Sequence, residues 1–161
     1  GATITSISVL FGGLTIFTRS IPMGGNQFTE EIQRQLNVSF SDAEAMKTGK
    51  SVPGADAASA LPLAIDTVST NLAFEIKRSL DFFLGGNQGA DISKIYMSGG
   101  GSKVAGLQNL MQEKTSIPVE VVNPFKNLEI KTKDIDAESI KDIAAFFGVA
   151  VGLATRRFAD R

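Results

Sequence analysis

The stretch "IYMSGGGSKVAGLQNLM", residues 95–111, sets three consecutive glycines between an apolar run that reads as a strand and an amphipathic run that reads as a helix. Glycine costs about 0.5–1 kcal/mol relative to alanine inside regular structure, so three together imply a tight turn or a close approach of something bulky to the main chain. Spacing alone leaves both readings open. Strand, "SGGGSK", helix is a geometry in which backbone amides and a helix N-terminus accept an anion or lie against a planar base. Yet Lys103 does not sit in a G-x-x-x-x-G-K-[ST] frame, and Val104 stands where G-x-G-x-x-G needs its third glycine.

Working towards the N-terminus, "ISKIYM" (92–97) reads as a short strand. Before it, Ile65, Val68, Leu72, Ile76, Leu80 and Phe83 step by three or four from Leu61 onward, the pattern of a long amphipathic helix that "GGNQG" (85–89) ends. Pro62 falls in its first turn, where a missing N–H does no harm, and Lys77–Asp81 and Glu75–Arg78 are spaced to pair. "KSVPGADAASA" (50–60) reads as a loop. "SDAEAMKTG" (41–49) predicts a short helix with Ser41 and Glu44 in capping-box spacing and Gly49 as its stop. "GGNQFTEEIQRQL" (24–36) predicts a helix capped by Asn26, with Glu30 and Glu31 in its first turn. The opening "GATITSISVLFGGLTIFTRSIP" predicts a hairpin turning at Gly12-Gly13.

Towards the C-terminus, "KVAGLQNLMQEK" (103–114) predicts a helix and "PVEVV" (118–122) a strand. "ESIKDIAAFFGVAVGLATRRF" (138–158) predicts a final helix. Its small residues Ala144, Ala145, Gly148, Ala150 and Gly152 suggest burial nearly all round, with Arg156 and Arg157 at the negative pole of the dipole. Strands followed by alternating helices and strands give an α/β sheet with packed helices.

A chain of 161 residues with 43% hydrophobic composition can bury a core without disulfides or metals. Sixteen basic and 17 acidic side chains, with no basic run, argue against nucleic acid as a partner. Cysteine and histidine are both absent, which excludes disulfides, thiolate or imidazole metal sites and the Ser-His-Asp triad. The longest apolar stretch, "IAAFFGVAVGLA" (143–154), is shorter than the roughly 18–20 residues of a membrane span, so the chain reads as soluble. Glu44 and Lys47, three apart on one helix, share a face. Unaided, they read as a cap beside a solvated lysine.

The order of hairpin, "GGN", "AExxK" and strand-"GGG"-helix resembles the second large domain of the actin-like ATPases. Within them, "IPMGGNQFTE" (21–30) is most similar to the type IV pilus-assembly members. The resemblance covers essentially the whole chain. It implies an actin-like, ribonuclease H-like α/β domain with a mixed sheet. Residues 1–36 and 86–161 would form the core, and 37–85 a small inserted helical subdomain that moves or meets neighbours.

The resemblance also implies roles. Gly1, Ala2 and Thr3 would lie at the β- and γ-phosphates of ATP, and Gly24 and Gly25 would line the cleft. Glu44 would accept from the ribose hydroxyls, and Lys47 would lie near ribose and adenine. Gly99, Gly100 and Gly101 would form the adenosine loop, with Lys103 where a stacking cation sits in chaperone relatives. No catalytic or metal-ligating residue is assigned. The family's acid two residues before Gly1, the magnesium ligand and a first domain are expected outside this chain, so ATPase activity would be weak at most and absent from this part alone. Implied partners are inner-membrane pilus-assembly proteins, met mainly through that first domain, with self-association possible in principle. The implied location is cytoplasmic and peripheral to the inner membrane. Two alternatives share the fold: a scaffold without ATP turnover, and a cell-division filament protein.

Overall fold

The structure, a computed structural model, describes residues 1–52, 60–128, 140 and 143–156. Strands β1 (Thr5–Phe11) and β2 (Leu14–Ile21) form the expected antiparallel hairpin. Gly12 (φ +58°) and Gly13 (φ +81°) take the two positive-φ positions that a two-residue turn compatible with strand twist requires. Helix α1 (Gly25–Leu36) follows and buries Phe28, Thr29 and Ile32.

The cap of α1 differs from expectation. Asn26 lies inside the helix, Gly24 occupies the cap, and no acid falls in the first turn. Two of the helix's orphan amides are taken by distant backbone: Gly25 N–H donates to Gly1 O (2.9 Å) and Asn26 N–H to Ala2 O (2.8 Å). The Gln27 side chain reaches back to accept from Gly24 N–H (2.7 Å).

Helix α2 (Phe40–Lys47) starts two residues earlier than a Ser41 cap implies, because Ser39 caps it and accepts from Asp42 N–H. Ser41 is therefore no cap, and Glu44 is left free for other partners. Gly49 (φ +81°) ends this segment as expected.

Helix α3 (Ala60–Gly86) spans 27 residues, buries Ile65, Val68, Leu72, Leu80 and Phe83, and carries the Lys77–Asp81 and Arg78–Glu75 pairs on its outside. Phe17 of β2 packs against Phe83 and Phe82, tying the hairpin to this helix with ring centroids 5.5 and 6.4 Å apart.

Strand β3 (Ile95–Met97) pairs in parallel with β4 (Val119–Val121), with helix α4 (Leu107–Thr115) in the connection. The glycine run does not open α4. Residues Gly100–Lys103 form a 3₁₀ turn, and Gly106 (φ +76°) breaks the chain before the α-helix begins, so the single helix expected over 103–114 is divided. Antiparallel and parallel pairing are both present, as two separate two-stranded ladders.

One continuous hydrophobic cluster joins Phe28 and Ile32 of α1, Met46 of α2, Val68 and Leu72 of α3, Leu107 and Met111 of α4 and Val119 of β4. It runs across residues 37–85 and the segments on either side of them.

The C-terminal segment departs most from expectation. A 3₁₀ turn at Ala144–Phe147 precedes α5 (Gly148–Ala154). Ala144 and Ala145 are buried, but α5 buries none of its residues, and Val149 and Leu153 are exposed. The small residues seat the 3₁₀ turn against the Gly99–Lys103 segment, and α5 then leaves the core. Arg157 and residues 53–59 lie outside the described residues. No helix among the described residues is long and apolar enough to cross a membrane.

Candidate functional site

The first cluster forms where the Gly1–Ala2 segment crosses the start of α1. A Cβ on Gly24 would lie 2.4 Å from Gly1 O and 2.7 Å from the Ala2 carbonyl atoms, distances that side-chain carbons do not tolerate. Gly24 is bare because the chain's own backbone occupies that space. Its φ of −161° is extended and open to any residue, so contact rather than torsion makes the demand. At Gly25 a Cβ would meet Lys47 Nζ at 3.5 Å and Ala2 Cα and Gly1 O at 3.9 Å, all ordinary contacts. Thr3 is exposed.

The Lys47 contact leads to the second cluster. Lys47 Nζ donates to Glu44 Oε1 (2.5 Å), Thr29 Oγ1 (2.9 Å) and Gly25 O (3.2 Å). Thr29 Oγ1 also donates to Glu44 Oε1, with Gly25 O at 3.2 Å as a second acceptor within reach. The pair thus bridges α1 and α2 and is not the capped, solvated pair of the bland sequence reading. The Lys47 side chain is only 11% exposed, whereas that of Glu44 is 37% exposed. Burial pushes the Glu44 carboxyl up, but the hydrogen bonds from Lys47 and Thr29, with the Lys47 charge, hold it below the ordinary carboxylate range.

Thr29 is the residue that sequence reasoning missed. It is fully buried although polar, and its place four residues after Gly25 and one turn below the "GGN" was the available signal.

The third cluster is the glycine turn. Gly99 (φ +85°, ψ 179°) adopts a conformation that in practice only glycine takes, and its N–H donates to Ala145 O (2.7 Å). A Cβ on Gly100 would approach Phe146 Cε1 to 2.9 Å, while one on Gly101 would enter open space. The Lys103 ammonium lies over the same Phe146 ring, 5.7 Å from its centroid. Both sequence readings therefore hold at different positions: Gly99 makes the tight turn, Gly100 admits an aromatic ring from the chain itself, and Gly101 stays open.

A cavity of about 560 Å³ lies between β1 and the segment leading into and out of β3. Phe28, Leu72, Ile76 and Leu107 contribute apolar lining, and Gly1, Gly24, Gly25, Gly101 and Ser102 lie on its wall. Four of the eleven expected site residues thus share one cavity. Ala2, Glu44 and Lys47 adjoin it through hydrogen bonds around Gly24 and Gly25. Gly99, Gly100 and Lys103 face the 144–147 turn instead, and Thr3 joins no cluster.

The family model described as type IV pilus assembly protein PilM matches residues 1–158. Among solved structures, a chain of the PilM–PilN type IV pilus biogenesis complex is similar over 96% of this chain and 43% of that one, at 32% identity and a TM-score of 0.79. The ethanolamine utilization protein EutJ from Carboxydothermus hydrogenoformans is similar over 74% of this chain and 41% of its own, at 18% identity and a TM-score of 0.60, a likeness of fold alone. This chain spans less than half the length of either neighbour. With an α/β fold of the actin-like ATPase type and a family match over nearly its whole length, the chain belongs to the type IV pilus assembly protein PilM family.

Proposed function

We propose that this chain forms the adenosine-facing side of an ATP-binding cleft in an actin-like protein that assembles the type IV pilus machine. The observation that carries this reading is convergence: Gly1, Gly24, Gly25 and Gly101, distant in sequence, wall one cavity, and the Glu44–Lys47 pair is hydrogen-bonded onto its rim at Gly25. A carboxylate beside bare backbone is suited to accept from a vicinal diol while a flat base lies against main chain.

The residues fit such a ligand with one adjustment. Glu44 offers an acceptor and Gly101 offers open space, but the Phe146 ring covers Gly100 and would have to swing aside. At 57% exposure it has room to do so. Bound ATP would supply the energy-rich phosphates. This chain's part is to orient the nucleoside and to keep water from one side of it. Magnesium is expected to accompany the phosphates, and among the described residues no group of three or more acidic side chains could hold it. No magnesium ligand is assigned among the described residues.

The solved relative is a PilM in complex with PilN. By that similarity the protein is proposed to work at the cytoplasmic face of the inner membrane, held there by pilus-assembly partners. The family match to PilM sets aside the cell-division alternative. The scaffold reading draws on a different observation: the first amides of α1 are already bonded to Gly1 O and Ala2 O, which leaves fewer donors for phosphate.

Calorimetric titration of ATP into the intact protein tests the binding reading, alongside Glu44→Ala and Gly100→Val. Both variants should bind several-fold more weakly, and unchanged affinity in both would overturn the assignment. Phosphate release and partner assembly in the same variants separate the readings. Normal assembly by a nucleotide-blind variant favours the scaffold.

A further inference from the structure

We infer that Lys47 and Thr29 are positioning residues that hold Glu44 for the ligand and do not themselves bind it. The inference rests on the nucleotide reading above and departs from the role that resemblance implies for Lys47. An ammonium has three N–H donors, and all three have protein acceptors: Glu44 Oε1, Thr29 Oγ1 and Gly25 O. Nothing is left to offer a ribose or a base. The exposures agree, since the Lys47 side chain is enclosed at 11% while its partner is open at 37%.

Thr29 closes the arrangement. A hydroxyl has one proton, and with Lys47 donating to its oxygen that proton goes to Glu44 Oε1, its nearer acceptor, rather than to Gly25 O at 3.2 Å. Gly25 O is then served by Lys47. Every hydrogen bond to the Glu44 carboxylate among the described residues lands on Oε1, so Oε2 is the oxygen left for a ligand. Because Thr29 and Gly25 belong to α1 and Glu44 to α2, the network also fixes the distance between the cavity wall and that free oxygen.

Two measurements on the intact protein test this. In the first, carbon-13 NMR follows titration of the Glu44 carboxyl without nucleotide. Thr29→Val and Lys47→Met should each raise its pKa, and Thr29→Ser should restore the wild-type value, which a merely packing role for Thr29 would not produce. An unmoved Glu44 titration in both variants overturns the inference. The second compares ATP affinities. Losing a hydrogen bond to a charged group should weaken binding about tenfold in Glu44→Gln, and Lys47→Met should add nothing in that background. A further tenfold loss in the double variant would show that Lys47 touches the ligand and would overturn the proposal. If the wild-type protein bound no ATP at all, the nucleotide reading would fall, while the NMR titration would still decide whether the clamp exists.

Discussion

Gly24→Ala separates a glycine required by the protein from one required by a ligand. The added methyl would sit 2.4 Å from Gly1 O and 2.7 Å from Ala2 C and O, all main-chain atoms that cannot rotate away as a side-chain end would. Relief requires the Gly1–Ala2 segment to lift. That segment is exposed and free to lift, at the expense of the bonds from Gly25 N–H (2.9 Å) and Asn26 N–H (2.8 Å). At about 1 kcal/mol for each net hydrogen bond, the loss is about 2 kcal/mol, and holding the segment in place would instead bring an overpacking cost of about 1–3 kcal/mol. The backbone adds no strain, because φ −161° and ψ −160° suit any residue. With a urea m-value of about 1–3 kcal/mol/M, the unfolding midpoint should fall by about 1 M. Gly25→Ala, whose methyl would meet Lys47 Nζ at 3.5 Å, should stay within about 0.5 kcal/mol of wild type. The reasoning fails if Gly24→Ala unfolds with the wild-type midpoint and loses only ATP affinity.

Further expectations follow from the turn and the surface. Gly99→Ala should destabilise by about 1–3 kcal/mol in the same urea assay, because φ +85° with ψ 179° is essentially closed to a side chain. Gly100→Ala should cost less than about 0.5 kcal/mol, since the opposing atom is the end of an exposed Phe146 ring, and the difference between the two variants is the readout. Glu31 is held at about 2 by hydrogen bonds from Arg34 and Gln35. Its pKa is depressed on folding, so its contribution to stability is present above the ordinary 4.5 and fades as pH falls towards about 2. NMR titration of Arg34→Ala should return the Glu31 carboxyl towards 4.5, with little change in stability at pH 7.

Much of the fold was legible because its signals are local. The Gly12-Gly13 turn, the three-four stepping from Ile65 to Phe83 and the Gly49 stop each follow from chemistry within one or two turns of chain. The caps were misread where the partner lay elsewhere. Asn26 is not needed as a cap when Gly1 and Ala2 carbonyls arrive from 24 residues away, and Ser41 yields to Ser39 because α2 begins at Phe40. The expectation of burial for the last helix rested on its small residues, which establish that close approach is allowed and not that anything approaches.

The candidate site was legible as residue types and much less so as geometry. Glu44 and Lys47 share a face by spacing, as expected, but only the fold shows that Lys47 turns inward to Gly25. The resemblance implies that Gly24 lines a cleft and that Gly100 belongs to an adenosine loop. What approaches them in this structure is protein: the Gly1–Ala2 backbone in one case and the Phe146 ring in the other.

The lopsided carboxylate has one more consequence. With one oxygen tied to protein and all three N–H groups of the neighbouring ammonium already engaged, the Glu44–Lys47 pair can receive hydrogens and has none free to give. A hydroxyl or amino edge is welcome there, and an ionised phosphate, rich in lone pairs and negative, is refused. A guest with a proton-bearing end and an anionic end can enter in only one orientation, and this corner decides it by rejection.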